Sequence, residues 1–255
     1  MIDRDHIRIF LETDREWSAY ALGDLDPELY QECEWFGAED NGRLRSIVLL
    51  FKGLEPPVIF TIGEASGIDQ ILDRLMHARS VYLSIREDHL RAIETQYHLG
   101  RRESMWRMIL KPSEFRSIEG EAIDLQLADI DDLTCLYALG GGDAFTRSQL
   151  SSGVFYGLRK KDRIAAVAGT HVVSIEQSVA AVGNIMTHPD DRHHGYASIV
   201  TSAVCAELIR RGIRTIALNV SQSNLAAIRV YEKLGFKKYV HFYEGIALRK
   251  ETKRS

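Results

Sequence analysis

Apolar and polar positions alternate along the chain in short blocks that predict a mixed α/β fold. In the first half, strand-like runs cover residues 34–38, 44–51, 58–62, 81–85 and 105–110. Helical spacing of apolar residues covers 14–25, 68–75 and 88–99, and the third helix is predicted to end at Gly100. Asn41-Gly42 separates the first two strand runs and is typical of a tight hairpin.

The second half shows the same alternation after a linker predicted at residues 112–120. Its strand runs cover residues 122–127, 154–158, 164–173, 179–187, 215–220 and 239–248. Helices are predicted to begin near Asp129 and Thr146, with a flexible glycine run at 140–142 between them. A long helix follows Ala197 and stops at Gly212, and residues 249–255 form a polar tail.

The two halves are related by a repeat. Residues 90–100 and 225–235 share Leu, Ala, Ile, Leu and Gly at a constant offset of 135 positions. The order of predicted strands and helices on both sides also agrees, so we interpret the chain as two domains, 1–115 and 116–255, with a duplicated fold. At this offset His89 takes the position of Asn224, and Gln96 takes that of Tyr231.

A short loop joins the strand run ending at Thr187 to the long helix. Backbone N–H groups between His193 and Ser198 are expected to converge at the start of that helix, which favours an anion. Arg192 adds a fixed positive charge beside them, and Gly195 allows close approach of the backbone. The loop is therefore predicted to bind a diphosphate.

A second segment follows the strand run at 215–220. Asn224 and Tyr231 are seven residues apart on one predicted helix, so they lie on the same face, about 10 Å apart along the axis. Gly235 closes this helix, and Phe236 is placed for the hydrophobic contact that accompanies such an end.

Together the two segments resemble the Gcn5-related N-acetyltransferases. The family pattern is a strand, Arg/Gln-x-x-Gly-x-Gly/Ala, a helix, a strand, and then Asn with a Tyr seven residues later before Gly-Phe. The matching positions here are Arg192-His193-His194-Gly195-Tyr196-Ala197, Asn224, Tyr231 and Gly235-Phe236. Their shared order and spacing make the match specific.

The resemblance implies two tandem acetyltransferase-like domains, each with a mostly antiparallel central sheet flanked by helices. Only the second domain is expected to be catalytic. In the first, Glu64-Ala65-Ser66-Gly67 stands at the corresponding entrance without the Arg-x-x-Gly-x-Ala pattern, so we expect that domain to be degenerate.

The resemblance also implies transfer of an acetyl group from acetyl-CoA to a primary amine by direct attack. Tyr231 is the implied general acid for the leaving thiolate, because a phenol of reference pKa about 10 is protonated at neutral pH. The implied cofactor contacts are Ile185, Met186 and Thr187 for the pantetheine arm, then Arg192, His193, His194, Gly195, Tyr196, Ala197 and Ser198 for the diphosphate, with Asn219, Asn224 and Tyr231 beyond them.

The general base is left open by the sequence. Some relatives carry a Glu at the position of Asn219, and an amide cannot take a proton. Glu176, His171 and Asp143 are equal candidates, and a chain of waters is a further one. The amide at 219 also leaves an alternative function open, that of a non-catalytic module that binds or senses acyl-CoA.

Composition narrows the classes of partner. The formal net charge of −4 favours neither nucleic acid nor a membrane surface, and the polar N-terminus does not resemble a signal peptide. Three scattered cysteines indicate reduced thiols in the cytoplasm.

The histidines near Asp190 match no zinc pattern, so no metal is expected. The expected partner is a small-molecule or peptide amine, and the chain is expected to be a monomer or homodimer.

Overall fold

The structure, a computed structural model, describes residues 2–75, 78–140 and 145–250. Two compact units make up the chain. The first comprises the residues up to Arg107 with Ser221–Ser223 and the residues from Val240 onward, and the second comprises Met108–Val220 with Asn224–Tyr239. Among the described residues no helix combines the length and apolar composition needed to cross a membrane.

The first unit places helices around a mostly antiparallel sheet. Its helices are α1 (Arg4–Leu11), α2 (Ala19–Gly23), α3 (Pro27–Tyr30), α4 (Ala65–Leu75) and α5 (Leu90–Gln96). Its strands are β1 (Cys33–Asp40), β2 (Arg43–Phe51), β3 (Val58–Gly63), β4 (Ser80–Ile85) and β5 (Tyr97–Leu110), of which β5 ends in the second unit. The β1–β2 turn has φ of +50° at Asn41 and +72° at Gly42, as the predicted hairpin requires.

The second unit repeats this arrangement. Its strands are β6 (Ile123–Asp124), β7 (Tyr156–Lys160), β8 (Arg163–Ser174), β9 (Val179–Thr187), β10 (Thr215–Ser221) and the start of β11 (Lys237–Arg249). Its helices are α6 (Ile130–Tyr137), α7 (Arg147–Ser152), α8 (Tyr196–Arg210) and α9 (Leu225–Leu234). The sheet order is β10-β9-β8-β7-β6.

Strand pairing confirms the predicted fold class. In each unit one parallel pair, β3 with β4 and β9 with β10, is joined through a helix. The antiparallel pairs are β1–β2, β2–β3, β4–β11, β6–β7, β7–β8 and β8–β9. A hydrophobic core lies under α4 and α5 in the first unit, and another lies under α6 and α7 in the second. The same sequence of strand, helix, strand, helix, strand therefore occurs twice.

The last strand departs from the predicted domain boundary. Residues 116–255 were expected to form one domain, but the chain from Val240 onward belongs to the first unit. There Tyr243–Leu248 pair antiparallel with Ser80–Ile85 of β4. The alternating pattern of β11 specifies a strand with one buried face, and it does not specify the partner strand.

Several predicted element boundaries are wrong. The helix expected to end at Gly100 stops at Gln96, because Tyr97 is buried with its hydroxyl donating to the Ala78 carbonyl oxygen at 3.2 Å, and β5 begins there. The helix expected at 14–25 is only a short helix at 19–23, and α1 was not predicted. The strand expected at 122–127 is reduced to Ile123–Asp124. The predicted glycine break at 141–142 and most of the polar tail lie outside the described residues.

Candidate active site

A cleft of about 700 Å³ opens in the second unit beside the end of β9, between the starts of α8 and α9. All but two of the residues predicted to contact a cofactor line it. They are Ile185, Met186, Thr187, Arg192, His193, Gly195, Tyr196, Ala197, Ser198, Asn224 and Tyr231. The fold thus brings the two motif segments to one place.

The strand wall of the cleft contains a β-bulge. In the β8–β9 ladder Val167 pairs with Met186 and Gly169 pairs with Gly183, so one residue of β8 faces two residues of β9. The extra residue is Asn184, whose φ of +51° lies in the left-handed region. A bulge leaves backbone groups of its strand out of the ladder, and the next three residues of β9 line the cleft.

A buried carboxylate anchors the loop that follows β9. Asp191 is 1% exposed and lies 2.8 Å from Lys160 Nζ and 2.6 Å from Arg163 Nη1. The hydrogen bond from Lys160, with the charge of Arg163, holds the pKa of this carboxyl below its usual value. These ion pairs fix the start of the loop, and Asp191 itself lines the cleft. The next residue, Arg192, is exposed to solvent.

The start of α8 presents bare backbone to the cleft. Gly195 is the N-cap with φ of +79°, and its helix has no side-chain cap among the described residues. No described atom lies within 4 Å of the position a Cβ would take there. The Ser198 and Ile199 N–H groups bond to the Gly195 carbonyl oxygen. Tyr196 and Ala197 are therefore the first-turn residues whose N–H groups have no acceptor within the helix. This geometry suits an anion.

The facing wall is one side of α9. Asn224 Oδ1 accepts from the Ala227 N–H at 3.1 Å and caps the helix. Tyr231 is 7% exposed, lines the cleft, and contacts the Phe236 ring edge-on at 6.0 Å between ring centroids. Gly235 ends the helix with φ of +104°. Cap, tyrosine and terminal glycine therefore stand in the predicted order along one helix.

Two predicted cofactor residues lie outside the lining. The His194 ring turns back to the Arg192 carbonyl oxygen, 2.8 Å from Nδ1, and stacks on Tyr196. Asn219 is half-buried on β10 and does not line the cleft. The sequence had also missed five lining residues, Asp191, Ala226, Ala227, Arg229 and Val230. Of these, Ala227 could have been found from its place three residues after Asn224 on the same helix face.

The three candidate bases differ in position. His171 lies on β8, and its imidazole packs against Gly183 so closely that a Cβ there would have no room. Glu176 is exposed in the turn between β8 and β9. Asp143 lies outside the described residues. Within the described part of the chain no cluster of three or more His, Cys, Asp or Glu side chains is arranged to hold a metal ion.

Comparison with known proteins matches this region. The family described as FR47-like protein matches residues 155–244. The [Ribosomal protein bS18]-alanine N-acetyltransferase of Salmonella typhimurium is 42% identical over 79 residues, which are 31% of this chain and 51% of that protein. The Escherichia coli K12 protein of the same name is 36% identical over 92 residues, 36% of this chain and 60% of its own length. The matched part of the chain is thus similar to N-acetyltransferases.

Solved structures show that the fold extends to both units. A GNAT-family acetyltransferase structure from Novosphingobium aromaticivorans has a TM-score of 0.65 at 20% identity, covering 90% of this chain and 96% of that one. A tandem GNAT protein from the clavulanic acid biosynthesis pathway has a TM-score of 0.56 at 11% identity, covering 92% and 88%. The chain spans between half and two thirds of the curated relatives that it matches.

Proposed function

We propose that the second unit is an acetyl-CoA-dependent N-acetyltransferase that acts on a primary amine. The proposal rests on one observation: the start of α8, which has no side-chain cap among the described residues, and Tyr231 line the same cleft. The start of α8 suits the diphosphate of CoA. Tyr231 supplies a proton donor two helical turns from Asn224.

The proposed reaction is direct attack of a neutral amine on the thioester carbonyl carbon. The new C–N bond forms as the carbonyl oxygen gains negative charge, and a backbone N–H of β9 stabilises that oxyanion. The C–S bond then breaks, and Tyr231 gives its proton to the departing sulfur. The products are an amide and free CoA, and the amine nitrogen loses its proton to a base.

For the base we infer His171. It is the candidate that lies against the strand of the cleft, beside the bulge at Asn184. Glu176 belongs to the turn at the other end of β9, about 20 Å along the strand from residues 185–187 at 3.3 Å per residue. An imidazole can accept a proton directly, which the amide of Asn219 cannot.

The acceptor class that we propose to test first is a peptide N-terminus. Two of the curated relatives are named for acetylation of an alanine of a ribosomal protein, and the family model that matches this chain covers residues 155–244, which include the cleft. A small-molecule amine is the other class that fits. A screen of amines, amino acids and peptides, monitored by release of the CoA thiol, separates these classes.

A non-catalytic acyl-CoA sensor is the competing function, and the amide at Asn219 favours it. Such a module would bind CoA and leave acetyl-CoA intact with every acceptor of the screen. Acceptor-dependent thiol release excludes it, whereas CoA binding without thiol release in the presence of all three acceptor classes excludes the proposed transfer.

A further inference from the structure

We propose that Asn184 is a positioning residue for the acetyl transfer, one that sets the β9 bulge in place by bonds to both α6 and α7. The inference rests on the proposed function of the cleft and goes beyond it, because it assigns a role to a residue outside the lining. Asn184 is fully buried, and its neighbour Ile185 is the first strand residue of the cleft.

The backbone at Asn184 is in a conformation that a strand residue rarely adopts. Its φ of +51° is unfavourable for a residue with a Cβ, although Asn tolerates it better than most residues. Such strain persists only where surrounding contacts over-determine it. Bulges next to active sites redirect the residues that follow them, which here are Ile185, Met186 and Thr187.

Two hydrogen bonds supply those contacts, one from each helix. The Tyr137 hydroxyl at the end of α6 donates to the Asn184 carbonyl oxygen at 2.6 Å. Asn184 Nδ2 donates to Gln149 Oε1 of α7 at 3.1 Å. Gln149 Oε1 also accepts from the Thr146 N–H in the cap of α7, which fixes the orientation of both amides.

The bonding of Asn184 is incomplete in a way that stability does not explain. Its Oδ1 atom is buried with no hydrogen-bond partner among the described residues, and leaving a buried acceptor unpaired is destabilising. A residue kept only for packing would avoid both this cost and the left-handed φ. The side chain instead links the bulge to α7, as the Asn184 carbonyl oxygen links it to α6.

The test compares Asn184→Gly with Ser178→Gly. Glycine adopts a positive φ freely, so Asn184→Gly keeps the bulge accessible and removes only the side-chain bond. Ser178 has φ of +52° in the turn before β9 and controls for the change in chain flexibility. We expect Asn184→Gly to lower kcat about 10-fold, as misplacement of reacting groups does, with the CoA Kd unchanged within about twofold.

Tyr137→Phe provides a second variant, because it removes the bond to the Asn184 carbonyl oxygen and retains the ring that packs on Phe145. If both bonds act on the same bulge, the double variant loses less in kcat than the product of the single losses. Losses that multiply, or a kcat for Asn184→Gly equal to that of Ser178→Gly, would overturn the inference.

Amide hydrogen exchange at residues 185–187 gives a readout that does not depend on turnover. Faster exchange there in Asn184→Gly, with exchange in α8 unchanged, supports the positioning role. Unchanged exchange at 185–187 contradicts it. Absence of thiol release by the wild type would count against the proposed function alone, since the exchange result still decides the role of Asn184.

Discussion

Tyr231 is the residue on which the proposed acetyl transfer depends most. Its ring is held in the α9 wall against Phe236, and little of it is exposed. Tyr231→Phe keeps that packing and removes the proton donor. We expect kcat to fall about 10²-fold, as loss of a general acid does, with the CoA Kd unchanged in calorimetric titration.

Tyr196→Phe is the matched control, because Tyr196 lines the same cleft from α8. Removal of its hydroxyl is expected to leave kcat within about threefold of the wild type, well short of the effect of a general acid. Equal kcat values for the two variants at saturating acceptor would show that Tyr231 is only a wall of the cleft.

His171 tests the assignment of the base. His171→Gln keeps a polar side chain beside Gly183 and removes the proton acceptor, so we expect kcat/KM for the amine to fall about 10²-fold. Glu176→Gln, in the distant turn, is expected to retain wild-type kcat/KM. The reverse ranking in steady-state assays would assign the base to the turn.

At the scale of elements, the two ends of α8 offer a matched pair of glycines. Gly195 and Gly212 have φ of +79° and +86°, and neither has a described atom within 4 Å of a Cβ position. Valine is strained at both sites, but only Gly195 lines the cleft. We expect Gly195→Val to raise the CoA Kd at least about 100-fold and Gly212→Val to change it less than about threefold, because only the former obstructs an anion at the helix start.

Equilibrium binding and thermal unfolding of both variants check this expectation. The two Tm values are expected to drop by similar amounts, since the backbone strain is the same. Wild-type CoA affinity in a folded Gly195→Val variant would refute the anion site at α8.

The C-terminal end of α8 makes a pH-dependent contribution to stability. Hydrogen bonds from Arg210 and Arg211 lower the pKa of Glu207 to about 2. Because the folded-state pKa lies below that of an unfolded Glu, the stabilisation is present above about pH 4.5 and is lost as the pH falls toward 2. Glu207→Gln is thus expected to lower the free energy of unfolding at pH 7 by up to about 1 kcal/mol.

Urea unfolding at pH 7, 5 and 3 measures this effect. The difference between wild type and Glu207→Gln should narrow from pH 5 to pH 3. Glu232→Gln is the control, because the Glu232 carboxylate lies 3.4 Å from Lys238 Nζ, farther than Glu207 lies from its two arginines. A difference that stays constant with pH would contradict the assignment to the Glu207 carboxylate.

The sequence predicted those elements whose ends depend on local chemistry. Gly212 and Gly235 adopt the expected left-handed φ, and Asn224 caps its helix. Gly100 was wrongly predicted as a helix end, because burial of Tyr97 starts a strand three residues earlier. The bulge at Asn184 had no signal in the hydrophobic pattern, since it arises from tertiary bonds to two helices.

At the scale of the whole molecule, the two copies of the fold carry different residues at the positions that form the cleft of the second unit. In the first unit His89 occupies the position of Asn224 in the repeat and is 2% exposed. Its imidazole lies 2.8 Å from Thr61 Oγ1 and 2.9 Å from the Gly63 carbonyl oxygen, which ties the end of β3 to the start of α5. Burial lowers the pKa of His89, which favours the neutral ring.

We therefore predict one CoA per chain. The first unit has Glu64 at the entrance of α4 where the second has Arg192, and a carboxylate repels a diphosphate. Calorimetric titration of the full chain with CoA should give a stoichiometry near one, all of it removed by Gly195→Val. Two sites, or one that survives this substitution, would show that the first unit also binds CoA.

The central claim is acetyl transfer by the cleft of the second unit, and one measurement tests it most directly. It is the initial rate of CoA thiol release from acetyl-CoA with a peptide bearing a free N-terminal amine, compared with the same peptide N-acetylated. We predict a rate that saturates with the free peptide, is absent with the blocked peptide, and is lost in Gly195→Val. No thiol release above background with the free peptide, the blocked peptide or small amines, in a chain that binds CoA, would contradict acetyl transfer and identify a binding module.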